Sequence, residues 1–255
     1  MAESSLRGAA PSPSRATSRL SEPLTLPAPA MWLTVLTWAT PIVVIAAQAY
    51  FVWASVPDRD MGHLQKIMYV HVPAAWNAFL AFFWVFIQSV RYLRTREERA
   101  DLQAAAGAEV GAVLTGLTLI LGSIWGRPTW GVWWTWDARL TSTAVLFLVY
   151  VGYLALRGMT DDPERRARWS AAVGILGALN VPIVYMSVKW WRTLHQMQSS
   201  PSTVDPTYAW GLRLNSIAFL LVLIVFIAHR YRGLLSEYVS ERRRDDAALN
   251  RRASA

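Results

Sequence analysis

The chain contains no cysteine, which removes disulfides, thiolate metal ligands and thiol redox chemistry from consideration. Charge is also scarce. Only 16% of residues are Asp, Glu, Lys or Arg against 54% hydrophobic, too apolar a balance for an ordinary soluble domain. No nucleotide-binding loop, HExxH, GxSxG or paired-carboxylate motif occurs, so the chain does not read as a self-contained enzyme. The net charge of +8 would suit nucleic acid, but the arginines stand in short clusters between apolar segments. That placement is a membrane-topology pattern, and it excludes nucleic acid as the natural partner.

What the sequence does have is six apolar segments, near 31–54, 72–90, 104–124, 140–156, 169–189 and 208–229. Each approaches the roughly 20 residues that cross a bilayer core as a helix. The expected fold is therefore an all-α integral membrane protein of six transmembrane helices. Residues 1–30, rich in Ala, Ser and Pro, read as a disordered tail. The apolar run after them is too long, and lacks the small-residue cleavage site, for a signal peptide. Residues 31–232 read as the membrane domain and 233–255 as a basic cytoplasmic tail suited to anionic lipid. Met61, Leu64, Ile67 and Met68 recur at helical spacing and predict a short helix on the bilayer surface. Gly107, Gly111, Thr115 and Gly116 in the third span allow close helix packing. Pro182 predicts a kink in the fifth.

Placing both termini in the cytoplasm leaves only Arg59, Lys66, Arg127, Arg139, Lys189, Arg192 and Arg213 of the 25 Lys and Arg on the other side. This strong positive-inside bias sets the expected topology. The external connections are then about 55–71, 125–140 and 190–207. They carry His63 and His71, a tryptophan-rich segment between helices 3 and 4, and His195. Within that segment Trp125, Trp130, Trp133, Trp134 and Trp136 precede Asp137. Tryptophan is common at membrane interfaces, but this density, interrupted by Gly126, Pro128 and Gly131, favours a binding platform. If the chain is helical after Pro128, then Trp130, Trp133 and Trp134 share a face.

Indole faces and two imidazoles on one side of the membrane suit a flat, metal-bearing macrocycle. Arg127 and Arg139 would pair with its carboxylates or, equally, with lipid phosphates. Asp137 is expected to cap the next helix rather than to do chemistry. His63 reads as solvated and His229, at the cytoplasmic end, as structural.

The stretch WGRPTWGVWWTWDARLTS, with His71 in YVHVPAAW and His195 in TLHQ, resembles the tryptophan-rich WD family of haem-handling membrane proteins. Its layout over about 31–232 is similar to the cytochrome c maturation protein C, or haem exporter protein C, family. The resemblance implies that His71 and His195 are the axial ligands of a non-covalent haem b, lying against the Trp125–Asp137 platform. It implies a site on the periplasmic side of the bacterial inner membrane, and delivery of haem to a periplasmic chaperone, maturation protein E. It further implies an ABC-type complex with maturation proteins A and B and the small membrane protein D. Two related functions stand beside it. A haem–apocytochrome ligase would need two further membrane-embedded histidines, and only His229 remains. A haem-transporting subunit would call for charged or broken-helix features at mid-membrane, where Pro41 and Pro182 are the candidates. A scaffold whose tryptophans dock a partner is the third alternative.

Overall fold

A computed structural model describes residues 28–195 and 204–254. The N-terminal tail expected from the sequence lies outside these residues but for its last three. Six helices run α1 Met31–Ala54, α2 Met68–Thr95, α3 Glu98–Trp130, α4 Ala138–Met159, α5 Pro163–Trp190 and α6 Pro206–Ala253. All six are long and apolar enough to cross a membrane. The expected spans are recovered in order, and most helices overrun them at both ends.

The unit Pro29–Leu235 holds the core. Within it α3 is the most enclosed helix and α1 the least. α2 packs on α3 and α5, and α4 packs on α5 and α3. Small residues make these contacts possible, as expected in lipid. A Cβ at Gly111 would lie 2.5 Å from Phe82 Cε1, so only glycine admits that ring. Phe82 in turn stacks on Tyr150 with ring centroids 3.7 Å apart and planes at 11°. The Tyr150 hydroxyl donates to the Gly174 carbonyl at 3.0 Å, tying α4 to α5. The helical segment 236–253 exposes Arg242, Arg243, Arg244, Arg251 and Arg252.

Several polar groups inside the bundle are paired across helices. Pro73 has no N–H, so the Tyr69 carbonyl one turn earlier loses its helical donor. Gln48 Nε2 from α1 donates to that carbonyl at 3.2 Å and to Asn215 Oδ1 of α6 at 2.7 Å. At the end holding the α3 N-terminus, Arg157 grips Asp101 through two bonds of 2.6 and 2.8 Å. Arg230 pairs with Glu109. His229 Nε2 lies 2.7 Å from Thr37 Oγ1, in keeping with a structural role.

The predicted surface helix near 57–69 is a correction. Only His63–Ile67 forms, as a 3-10 turn running directly into α2, with Gln65 buried. Leu64 stays 40% exposed, and α2 begins earlier than the hydropathy suggests.

Candidate functional site

At the opposite end, the start of α2 meets the end of α3, the start of α4 and the residues just after α5. The helix boundaries there follow from local chemistry. α3 continues through Pro128 to Trp130 and stops at Gly131, whose φ of 79° is the left-handed cap that glycine takes most readily. Asp137 then starts α4 as its N-cap, accepting from the Leu140 N–H at 2.8 Å. The expected cap is present.

A cavity of about 520 Å³ lies among these ends, within the roughly 300–1,000 Å³ typical of small-molecule and cofactor sites. His71, His195, Trp125, Trp130 and Arg139 all line it. His71 is the fourth residue of α2 rather than part of the loop before it. Its ring meets Trp125 edge-on, with centroids 5.9 Å apart. Space for it exists because residue 122 is glycine: a Cβ there would sit 3.1 Å from His71 Cε1. His195 meets Trp130 in the same manner at 5.1 Å. Each imidazole thus has an indole from α3 as its neighbour. His71 Nδ1, His195 Nδ1 and Trp125 Nε1 are buried without a hydrogen-bond partner among the described residues. Unbonded buried polar atoms also occur elsewhere in the bundle, at Thr40, Gln88, Ser89 and Ser170 among others, so it is the shared cavity and not these atoms that marks the site.

Asp137 lies beside His195, with Oδ2 3.7 Å from Nδ1, too far for a hydrogen bond. That oxygen accepts instead from Thr193 Oγ1 at 2.8 Å and the Leu194 N–H at 3.3 Å. Burial works to raise the Asp137 carboxyl, but the bonds from Leu140 and Thr193 outweigh it and hold the group below the usual carboxylate range. Burial, reinforced by Arg139, pushes the His195 imidazole below its ordinary value, and Asp137 only partly offsets this. His195 is therefore a neutral imidazole near pH 7, with Nδ1 turned to a carboxylate. Nε2 is left as the nitrogen for a metal, an arrangement common among metal-bound histidines.

The remaining sequence candidates stand apart from the cavity. Trp133 and Trp136 are 61% and 82% exposed. Trp134 packs edge-on against Trp136 at 5.7 Å. Since the helix ends at Trp130, the shared face expected for Trp130, Trp133 and Trp134 does not form; the Gly131 cap turns the chain away. Arg127 donates to the Gly131 carbonyl and supports that cap. His63 does not line the cavity. Trp76, Thr118 and Tyr208 do, and were not foreseen as site residues. Trp76 stands in the same YVHVPAAW motif as His71 and was legible there; Thr118 and Tyr208 carry no comparable signal.

A family model described as "Heme exporter protein C" matches residues 17–248. A protein of Bradyrhizobium diazoefficiens named Heme exporter protein C is 41% identical over 196 residues, covering 74% of each chain. One of the same name from Escherichia coli K12 is 36% identical over 205 residues, 78% of this chain and 82% of its own. A Marchantia polymorpha protein named "Putative cytochrome c biosynthesis ccmC-like mitochondrial protein" is 40% identical over 176 residues, 69% of this chain and 71% of its own.

Proposed function

Because the chain belongs to the Heme exporter protein C family, we propose that it handles haem for cytochrome c maturation, with His71 and His195 as the two axial ligands. The observation that carries this reading is the convergence of the two histidines. They are 124 positions apart, yet both line one cavity, each against an α3 indole.

The cargo is a non-covalent haem b, held at the periplasmic face of the bacterial inner membrane. Two imidazoles close both axial positions of its iron, which suits carriage better than oxygen chemistry. Trp125 and Trp130 supply apolar ring surface. Arg139, lining the same cavity, is placed to balance a propionate. Trp133 and Trp136 stay exposed and offer an apolar surface to the protein that takes the haem. That recipient is the periplasmic chaperone, maturation protein E, and the setting is a complex with the ABC-type maturation proteins A and B and protein D. The positive-inside charge distribution supports both termini in the cytoplasm and the cavity outside.

The test is haem delivery in cells, read as haem bound covalently to the chaperone. His71→Ala and His195→Ala are each expected to lower it at least tenfold, with the protein present in the membrane at wild-type amounts. Delivery unchanged in both variants would overturn the proposal.

A further inference from the structure

The two imidazoles are held by different means. His71 belongs to a regular helix, with Gly122 and Trp125 of α3 against its ring. His195 follows the end of α5 at Trp190 by five residues and belongs to no helix. Something other than secondary structure must set its position, since a ligating side chain works only when its support fixes it within a fraction of an ångström.

Thr193 occupies that position in the geometry. Its hydroxyl donates to Asp137 Oδ2 at 2.8 Å and accepts from the His195 N–H at 3.1 Å. Leu194 adds a backbone bond to the same carboxylate oxygen at 3.3 Å. Asp137 is itself fixed, because its other oxygen caps α4. One hydroxyl thus joins the first turn of α4 to the backbone of the histidine. The donor and acceptor roles are both used, so neither valine nor alanine can replace it, whereas serine can.

We propose that Thr193 is a positioning residue for His195, latching the segment after α5 onto the α4 cap so that the imidazole is presented to the cavity. This rests on the assignment of His195 as an iron ligand for its consequence, but the latch itself is a property of the protein without haem. Losing it frees the segment, and His195 then occupies its ligating position only part of the time.

The experiment compares Thr193→Val with Thr193→Ser in the full chain in detergent. In haem-free protein, amide hydrogen exchange at Leu194 and His195 is expected to be about tenfold faster in Thr193→Val and close to wild type in Thr193→Ser. Unchanged protection across α4 and α5 reports an intact bundle. With haem added, Thr193→Val is expected to show a partly high-spin spectrum that added imidazole returns to low spin, while Thr193→Ser stays low-spin. Wild-type exchange in Thr193→Val, or equal acceleration in both variants, would overturn the latch. A His195→Ala variant separates the two ideas. If it keeps the wild-type haem spectrum, the ligand assignment fails, while the haem-free exchange still judges the latch.

Discussion

His71 and His195 differ from ordinary interfacial histidines in what surrounds their rings. Each has an indole edge-on and, among the described residues, a buried Nδ1 without a hydrogen bond, and His195 also has a carboxylate 3.7 Å away. Burial and Arg139 keep the His195 imidazole neutral below its ordinary value near 6.5. The folded protein therefore binds this proton less readily than the unfolded chain. Its contribution to stability is complete above about 6.5 and declines as pH falls below that value. Diethyl pyrocarbonate, which acylates an imidazole only in its neutral form, should accordingly modify His195 of haem-free protein with a pH midpoint below 6.5, located by peptide mass spectrometry. Asp137→Asn, which removes the neighbour that opposes this shift, should move the midpoint lower still. A midpoint at or above 6.5 in the wild type would contradict the burial. At this scale the sequence revealed residue types but not supports. The histidines, Trp125, Trp130 and Arg139 stood out by composition and by their motifs. Thr193 did not, because a hydroxyl that bonds across 56 positions leaves no local pattern.

The helices were legible because each hydrophobic run is long enough to be a span, and lipid leaves the backbone no alternative to helix. Their ends were less so, because caps and not hydropathy decide them. Gly131 ended α3 at Trp130 and separated the cavity-lining Trp125 and Trp130 from Trp133, Trp134 and Trp136, of which Trp133 and Trp136 are exposed. The start of α2 absorbed His71, since Gln48 of a distant helix satisfies the carbonyl that Pro73 strands. Interhelical ion pairs were likewise invisible until the helices were placed. Asp101 and Arg157 are almost enclosed, with 9% and 12% of their side chains exposed. Removing one partner from such a pair leaves the other charge buried, at a cost of about 3–5 kcal/mol. Asp101→Ala should lower the unfolding free energy in detergent by about that amount, and lower the denaturation midpoint with it. Since the pair lies at the end of the bundle away from the cavity, the spectrum of bound haem should not change. A wild-type denaturation midpoint would show that Asp101 does not hold α3 to α4.

Across the whole molecule, charge counting and topology did more than any single motif. The distribution of Lys and Arg leads to the expectation that His71, the tryptophan segment and His195 share one side of the membrane, and the folded bundle has a cavity lined by residues from all three. What topology cannot supply is distance. Knowing that two loops share a side does not say that their histidines face one space; the packing of α2 and α5 around α3 does that. It is also why the exposed Trp133 and Trp136 are better read as a surface for a partner than as part of the haem bed. The central claim is that two imidazoles from separate parts of the chain close on one iron. Its most direct test is the visible and electron paramagnetic resonance spectrum of the purified, haem-loaded protein beside His71→Ala and His195→Ala, with haem quantified per chain. The account predicts a low-spin bis-histidine signal in the wild type that is lost or converted to high spin in each variant. The same low-spin signal and haem content in all three proteins would contradict it.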